Sequence, residues 1–343
     1  MNGYEQVELA LADERRRWLV TGVAGFIGSN LLLALLRAGQ EVVGVDNLLT
    51  GHRSNLEEVR DAVGAAWSNF SWLEGDIGDR ELVRRACDGA DVVLHQAALG
   101  SVPRSIARPD LTNANNVSGF LNVLTEAKDA GVGRFVYASS SSVYGDHPGL
   151  PKVEDRVGEC LSPYAVSKKV NEMYAAVFGR CYGVGCIGLR YFNVFGPRQS
   201  PDGPYAAVIP KWIDAMLRGE EVVINGDGET SRDFCYIDNV VQANLRAGLV
   251  DDPEALGEVY NIAAGGRTTL NELYEMLRVR LTGERPGLAA AQPVYRDFRP
   301  GDIRHSNADI SKATRLLGYR PTHDLGSGLD ASLGWYLSSL TTA

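Results

Sequence analysis

Three evenly spaced glycines follow a short apolar run near the start of the chain. The run is Trp18–Thr21, and the glycines are Gly22, Gly25 and Gly28. Glycine suits a tight strand-to-helix turn, and it lets backbone N–H groups approach a pyrophosphate at the helix N-terminus. The spacing is GxxGxxG rather than the commoner GxGxxG, and such a motif standing alone can also be an ordinary turn. Because the glycine motif here follows an apolar run, it predicts a βα unit that binds a dinucleotide.

Short strand-like runs alternate with helical patterns through the first half of the chain. The predicted strands are Trp18–Thr21, Glu41–Asp46, Ser71–Glu74, Val92–Gln96, Phe135–Ser139 and Gly185–Tyr191. The predicted helices include Ile27–Ala38, Glu81–Ala86, Thr112–Ala130 and Ser162–Tyr182, and residues 1–17 form an extra helix before the first strand. Alternation at this spacing predicts an α/β fold with a doubly wound parallel Rossmann sheet.

The pattern changes near residue 197. Proline and glycine cluster there, at Pro197, Pro201, Gly203, Pro204 and Pro210. This composition predicts a smaller, mixed C-terminal domain that closes over a ligand. We therefore expect an extension at 1–17, a dinucleotide-binding domain at 18–196 to which a segment at about 234–258 returns, and a mainly ligand-binding domain at 197–343.

Charge and composition exclude several classes of protein. The 34 Lys and Arg against 43 Asp and Glu give the 343-residue chain a net charge of −9, which disfavours a nucleic-acid partner. No apolar stretch approaches the roughly 20 residues of a membrane span, and the acidic N-terminus is unlike a signal peptide. The five cysteines lack the paired spacing of a metal site. We expect a cytoplasmic enzyme with reduced thiols and with no metal, membrane or nucleic-acid partner.

Two acidic residues follow predicted strands where a dinucleotide would lie. Asp46 ends the second strand, eighteen residues after Gly28. A carboxylate there accepts hydrogen bonds from the adenosine ribose hydroxyls and repels a 2′-phosphate, which favours NAD over NADP. Asp76 follows the third strand, where adenine would lie, and a solvated turn carboxylate is the alternative for this residue.

A tyrosine and a lysine stand one helical turn apart further along the chain. Ser162-Pro163 opens a helix, so Tyr164 and Lys168 share one face. A phenol has a reference pKa of about 10, and both a nearby ammonium and the positive nicotinamide ring favour its ionised form. The serines at 139–142 end an upstream strand, and a hydroxyl there can share the proton that Tyr164 handles. The glycine-rich loop and this pair together predict a tyrosine base beside NAD.

With these motifs in place, the chain resembles the extended short-chain dehydrogenase/reductase family from Trp18 to about Tyr336. Within it, the chain is most similar to the UDP-hexose 4-epimerases, specifically the bacterial type acting on UDP-N-acetylglucosamine. The matching stretches are Ser139–Asp146, Leu189–Gly196, Gly226–Gly228 with Ser231–Phe234, and Arg299–Asp302. The resemblance implies C4 epimerisation between UDP-N-acetylglucosamine and UDP-N-acetylgalactosamine through a 4-keto intermediate. It also implies a role in O-antigen and lipopolysaccharide biosynthesis and UDP-sugar binding by residues 197–343.

The resemblance further assigns roles to individual residues. It implies Ser140 as the catalytic hydroxyl beside Tyr164 and Lys168, although Ser142 stays open as the group that shares the proton. The implied cofactor-binding residues are Gly22, Gly25, Phe26, Ile27, Gly28, Asp46, Asp76, Ile77, Gln96, Ala97, Asn116, Tyr164, Lys168 and Tyr191. The implied substrate-binding residues are Gly100, Ser101, Ser140, Ser141, Ser142, Asn193, Ala207, Val208, Arg232, Arg299, Asp302 and Ser306. The two arginines suit a pyrophosphate, and an interdomain ion pair is their alternative role.

At three positions this chain has a small residue where, by the resemblance, epimerases restricted to galactose have a larger one. Ser306 replaces a tyrosine, Ala207 replaces a larger amide, and Gly100 replaces a lysine. The lost bulk predicts room for a 2-acetamido group. Related 4,6-dehydratases carry Asp-Glu at positions 141 and 142, and their absence here argues against dehydration.

The sequence leaves two other functions as alternatives. An oxidoreductase, decarboxylase or epimerase acting on a nucleotide-linked uronic acid needs a cation near the C6 carboxylate, which Arg104 or Arg198 can supply. A non-catalytic NAD-binding protein usually lacks the Tyr–Lys pair that this chain keeps.

The helices Asn113–Ala130 and Ala165–Tyr182 predict a homodimer through a four-helix bundle, by resemblance and the commonness of twofold symmetry. The alternative is that their apolar faces simply pack on the sheet.

Overall fold

In the computed structural model, which describes residues 3–201, 206–298 and 303–340, the strands form one large sheet and three small ones. The strands are β1 (Arg17–Thr21), β2 (Glu41–Asp46), β3 (Phe70–Glu74), β4 (Val92–His95), β5 (Arg134–Ser140), β6 (Cys186–Tyr191), β7 (Val194–Phe195), β8 (Val223–Asn225), β9 (Ser231–Arg232), β10 (Cys235–Tyr236), β11 (Val259–Ile262), β12 (Thr268–Thr269), β13 (Val294–Arg296) and β14 (His305–Ser306). The large sheet has the order β11-β6-β5-β4-β1-β2-β3, and all its neighbouring pairs are parallel. The predicted Rossmann sheet is confirmed.

Helices pack against the sheets and against one another. They are α1 (Gly3–Asp13), α2 (Phe26–Arg37), α3 (Arg53–Val63), α4 (Arg80–Cys87), α5 (Val102–Ala107), α6 (Pro109–Asn113), α7 (Phe120–Asp129), α8 (Pro163–Tyr182), α9 (Val208–Arg218), α10 (Ile237–Leu249), α11 (Leu270–Leu281), α12 (Ser311–Leu316) and α13 (Leu325–Leu340). None of the helices in the described residues has the length and apolarity to cross a membrane.

Alternation along the strands builds a core on each face. In β1, Trp18 and Val20 belong to one buried cluster and Leu19 to the other, because successive strand side chains point to opposite faces. The same alternation divides Val42 from Val43 in β2. Burial on both faces explains why these strands read as continuous apolar runs in the sequence.

One predicted helix, Thr112–Ala130, is interrupted. The structure has α6, then a π-helical segment at Ala114–Gly119, then α7. A Cβ on Gly119 would lie 2.6 Å from Ile77 Cδ1, so the segment packs closely on the loop after β3. The prediction of one regular helix was wrong because tertiary contacts set the local turn, and π segments of this kind are common near functional sites.

The extra N-terminal helix ends earlier than predicted. It spans Gly3–Asp13, and residues 1–2 lie outside the described part of the chain. Gln40 anchors its end, because Gln40 Nε2 donates to Leu11 O at 2.7 Å while Gln40 Oε1 accepts from Trp18 Nε1 at 3.0 Å. The extension is therefore joined to the start of β1.

The chain returns to the large sheet between strands of the small ones. Helix α10 contacts α2, β4, β5 and β6, and β11 pairs with β6 at the edge. The returning segment was expected at about 234–258, and β11 lies just beyond it. The division into domains stays a prediction.

Candidate active site

The glycine-rich loop makes the turn from β1 to α2. Gly22 has φ 70° and donates its N–H to Val45 O at 2.8 Å, so the turn lies against β2. A Cβ on Gly22 would lie 2.8 Å from the backbone nitrogen of Ala97, and a Cβ on Gly28 would lie 2.0 Å from Gly22 O. Both contacts leave no room for a side chain, so backbone packing requires glycine at these two positions.

A cavity of about 450 Å³ lies beside this loop, at the carboxyl ends of the parallel strands. Gly25 precedes the first turn of α2 without a side-chain cap, so the positive end of the helix faces the cavity and suits an anion such as a pyrophosphate. Its lining includes twelve of the predicted cofactor-binding residues: Gly22, Gly25, Phe26, Ile27, Gly28, Asp46, Ile77, Gln96, Ala97, Tyr164, Lys168 and Tyr191.

Asp46 is held rigidly at the end of β2. Its Oδ2 accepts from Ala24 N at 2.9 Å, and its Oδ1 accepts from Leu48 N at 2.8 Å. Burial raises the pKa of Asp46, although these backbone hydrogen bonds act in the opposite direction. The carboxylate thus has a fixed orientation at the cavity wall, which is what recognition of a ribose diol requires.

Two predicted cofactor residues do not line the cavity. Asp76 accepts from Asn47 Nδ2 at 2.6 Å and from Gly78 N at 2.7 Å, so it holds the cavity-lining Asn47. Asn116 pairs with the backbone of Leu99, accepting from its N–H at 2.8 Å and donating to its C=O at 3.2 Å. Both side chains support lining residues from behind, and direct cofactor contact by either stays a prediction.

The tyrosine and the lysine both face the cavity from α8. Ser162 begins this helix, because its Oγ accepts from Ala165 N at 3.1 Å. Lys168 donates from Nζ to Ala138 O at 2.8 Å, which joins α8 to the end of β5. Burial lowers the pKa of Lys168 to about 8.

Burial and a hydrogen bond act in opposite directions on Tyr164. Burial raises the pKa of its phenol, while a hydrogen bond with Ser140 lowers it. The expected effect of the Lys168 ammonium on this phenol stays a prediction. A positive charge on a ligand in the cavity would favour the ionised phenol further.

The serines at 139–142, here called the serine run, contact different partners. Ser140 meets Tyr164 and accepts from Ser142 N at 3.1 Å, beginning the 3-10 turn Ser141–Tyr144. Ser139 lines the cavity and donates to Glu172. Ser142 Oγ is buried, with no hydrogen-bond partner in the described part of the chain. Of the two candidates for sharing the proton, Ser140 is the one with a hydrogen bond to the phenol among the described residues.

Gln96 and Tyr191, which line the first cavity, form a hydrogen-bonded trio with Asn244. Tyr191 OH donates to Gln96 Oε1 at 3.1 Å, and Asn244 Nδ2 donates to Tyr191 OH at 2.9 Å. Asn244 is fully buried on α10. The sequence did not point to Asn244, because it stands inside an ordinary amphipathic helix far along the chain.

A second cavity, of about 480 Å³, adjoins the first. Ala206 and Ala207 line both cavities. The second lining also contains the predicted substrate residues Asn193, Val208 and Arg232. Sequence reasoning missed several other lining residues, among them Lys211, Trp212, Phe234 and Arg296.

The remaining predicted substrate residues lie in different places. Gly100 and Ser101 line the first cavity, and a Cβ on Gly100 would meet no atom within 4 Å. Ser306 on β14 pairs in register with Arg232 on β9, at the edge of the second cavity. Arg299 and Asp302 lie outside the described residues.

The fold and the site define a class of α/β proteins that bind a dinucleotide beside a tyrosine–lysine pair. The model of the NAD dependent epimerase/dehydratase family matches residues 18–263. The chain belongs to this family, and its cofactor is NAD.

Three solved structures are similar over almost the whole chain. One is a UDP-glucose 4-epimerase from Thermotoga maritima with UDP-glucose, at 38% identity and TM-score 0.85, covering 94% of this chain and 99% of that one. Another is a UDP-N-acetylglucosamine 4-epimerase from Methanobrevibacter ruminantium with UDP-N-acetylmuramic acid, at 37% identity and TM-score 0.85, covering 95% and 99%. The third is a UDP-glucuronic acid 4-epimerase from Bacillus cereus with UDP-glucuronic acid and NAD, at 31% identity and TM-score 0.83, covering 94% and 99%.

Proposed function

We propose that this protein is a UDP-N-acetylglucosamine 4-epimerase, which interconverts UDP-N-acetylglucosamine and UDP-N-acetylgalactosamine. The observation that carries the proposal is the junction of two cavities at Ala206 and Ala207, with Tyr164 and Lys168 in the first. A dinucleotide and a nucleotide sugar can therefore meet beside one phenol. The similar proteins described above are all 4-epimerases of UDP-sugars, which supports the reaction type.

The residues of the first cavity fit NAD. The two glycines that cannot carry a Cβ bring the N-terminus of α2 to the cavity wall, and the fixed carboxylate of Asp46 suits ribose hydroxyls. Held by these residues, NAD would supply hydride-transfer chemistry at C4 of the sugar, and its positive nicotinamide ring would favour the ionised form of Tyr164.

The protein groups then have separate tasks. Tyr164 takes the proton from the C4 hydroxyl, directly or through Ser140, and later gives it back. Lys168 holds α8 on β5 and binds the nicotinamide ribose. Arg232 in the second cavity binds the pyrophosphate, so the 4-keto sugar rotates about an anchored nucleotide and presents its other face.

Small residues around the sugar support a preference for N-acetylated substrates. Gly100 leaves open space where a side chain would project into the first cavity. Ala207 stands at the junction of the cavities, and Ser306 lies beside Arg232. A lysine at 100 or a tyrosine at 306 would fill volume that a 2-acetamido group requires.

Initial rates at equal concentrations of UDP-N-acetylglucosamine, UDP-glucose and UDP-glucuronic acid test this specificity. We expect the N-acetylated sugar to react fastest, and Gly100→Lys to lower that preference over UDP-glucose about 10-fold. Gly283→Lys is the matched control, because Gly283 is exposed, lines neither cavity and has open space at its Cβ position. Faster turnover of UDP-glucose by the unchanged enzyme would contradict the proposal.

A UDP-uronic acid is the second candidate substrate. Arg104 lines the first cavity, where it can meet a C6 carboxylate. Arg198 lines neither cavity, and its buried guanidinium bonds to Ser29 Oγ at 3.2 Å and to Asn30 Oδ1 on α2. The comparison of initial rates on the three UDP-sugars also tests this second candidate.

A further inference from the structure

A buried ion pair lies behind the site. Arg190 on β6 and Glu172 on α8 are 2% and 7% exposed. Arg190 donates from Nε to Glu172 Oε1 at 2.8 Å and from Nη2 to Glu172 Oε2 at 2.9 Å. Neither residue lines either cavity. Because the desolvation of two buried charges offsets their attraction, such a pair is weak evidence for a stabilising role. What the pair holds in place is therefore more informative.

Glu172 joins α8 to the end of β5. Its Oε1 also accepts from Ser139 Oγ at 2.7 Å. Glu172 lies one helical turn beyond Lys168 and two beyond Tyr164, on the same side of α8. Ser139 directly precedes Ser140, which contacts Tyr164. One carboxylate thus fixes the helix that carries the phenol against the strand that carries its partner.

Arg190 holds the segment that follows Ser140. Its guanidinium lies 4.9 Å from the ring centroid of Tyr144, at the end of the 3-10 turn that Ser140 begins. Arg190 Nη1 donates to Glu154 O at 2.9 Å, and Tyr144 OH donates to Asn261 Oδ1 at 2.6 Å. The ion pair therefore contacts the chain on both sides of Ser140, at Ser139 and at Tyr144.

We propose that Glu172 and Arg190 are positioning residues for Tyr164. Their ion pair sets how α8 sits on β5, so that the Ser140 hydroxyl meets the phenol and Lys168 Nζ meets Ala138 O. The proposal rests on the proposed function, in which Tyr164 handles the C4 proton. Without the pair, α8 and the serine run can shift relative to each other, and Tyr164 loses the hydrogen bond that favours its ionised form.

Three variants test this role. The double variant Glu172→Leu/Arg190→Met removes both charges and leaves no unpaired buried ion, because hydrophobic replacement of such pairs usually preserves folding. Ser139→Ala keeps the ion pair and removes the hydrogen bond that links Glu172 to β5. The control is Glu126→Gln: Glu126 is a buried carboxylate on α7 that pairs with Arg80 at 2.6 Å and lines neither cavity.

We expect kcat of the double variant to fall on the order of 100-fold, with little change in KM, because the reacting groups are misplaced. The acidic limb of its kcat–pH profile moves to higher pH. Ser139→Ala shows a smaller change in the same direction, and Glu126→Gln keeps the profile of the unchanged enzyme. A lower kcat without a moved limb would mean a merely structural role and overturn the proposal. If the double variant does not fold, the kcat–pH profile of Ser139→Ala decides whether the proposal holds.

A second readout is independent of turnover. The phenolate of Tyr164 is titrated by ultraviolet difference absorbance in the NAD-loaded protein, with Tyr164→Phe as the blank. The expected result is a higher Tyr164 pKa in the double variant and in Ser139→Ala than in the unchanged protein. Equal pKa values would overturn the proposal. If the unchanged protein proves not to epimerise a UDP-sugar, the proposed function fails, and this titration still tests the positioning role.

Discussion

At the scale of single residues, the proposed proton transfer depends on the ionisation of Tyr164. Burial raises the pKa of this phenol, and its hydrogen bond with Ser140 lowers it. Lys168 is itself deeply buried, and its pKa is lowered to about 8. In the proposed mechanism, the positive nicotinamide ring of a bound cofactor favours the base form of the phenol.

Replacing Tyr164 by phenylalanine tests the role of the hydroxyl directly. We expect kcat to fall about 10²- to 10⁴-fold, the usual contribution of a general base. The ring remains in the same packing, so the melting temperature and the amount of co-purified NAD should stay near those of the unchanged protein. Epimerase rates and the NAD content of the purified variant measure both. Retained activity would assign the proton to another group.

His95 predicts a specific pH dependence of stability. It is 2% exposed on β4, bonded through Nδ1 to Thr21 Oγ1 at 2.9 Å, and burial lowers its pKa from 6.5 to about 3. Between these pH values the unfolded chain binds a proton at His95 that the folded chain does not. The free energy of unfolding therefore falls as the pH drops through this window, by up to ~5 kcal/mol in total.

Urea unfolding of the unchanged protein and of His95→Gln, at several pH values from 7 down to 4, measures this effect. The variant lacks the titrating group, so its stability should fall less steeply than that of the unchanged protein. Parallel curves for the two proteins would show that His95 does not contribute.

At the scale of elements, local sequence patterns predicted the first half of the sheet well. β2 has the predicted bounds, and the other strands from β1 to β6 differ from prediction by no more than one residue at either end, because buried parallel strands are apolar runs bounded by turns. The π segment at Ala114–Gly119 was missed, because contact with Ile77 and Leu99 is invisible in a local pattern. β11 was missed as a sheet strand, because four residues give little signal and its partner β6 is about seventy residues away.

The βα unit that begins the sheet provides a sharp test. Gly28→Ala places a Cβ 2.0 Å from Gly22 O, so the loop or the helix has to move. We expect the variant to lose co-purified NAD and to melt at a lower temperature. Gly334→Ala is the control, since its Cβ meets no atom within 4 Å. Normal NAD retention by Gly28→Ala would show that the loop tolerates a side chain and that its glycine is not required for the cofactor.

At the scale of the whole molecule, the two cavities are lined by residues that lie far apart in the sequence. The first cavity was largely predictable, because its glycines, Asp46, Tyr164 and Lys168 belong to short motifs. The second was not, because Trp212, Phe234 and Arg296 come together only through tertiary folding. Motifs of neighbouring residues carry a signal in the sequence, whereas surfaces assembled from single residues do not.

We propose a homodimer formed through α7 and α8. Val166, Met173 and Val177 on α8 are 48%, 60% and 41% exposed, so this part of the helix does not pack on the sheet. Met173→Glu should shift the mass measured by light scattering from that of a dimer toward that of a monomer. Val279→Glu, at an exposed position on α11, should leave the mass unchanged. A monomeric unchanged protein would contradict this proposal.

The central claim is C4 epimerisation with a tightly retained cofactor, and one incubation tests both parts. Purified protein is mixed with UDP-N-acetylglucosamine without added NAD, and the sugar products are resolved by NMR over time. The account predicts UDP-N-acetylgalactosamine, reaching the same ratio of the two sugars from either starting side. No conversion, even after NAD is added, would contradict it and give first place to a UDP-uronic acid as substrate.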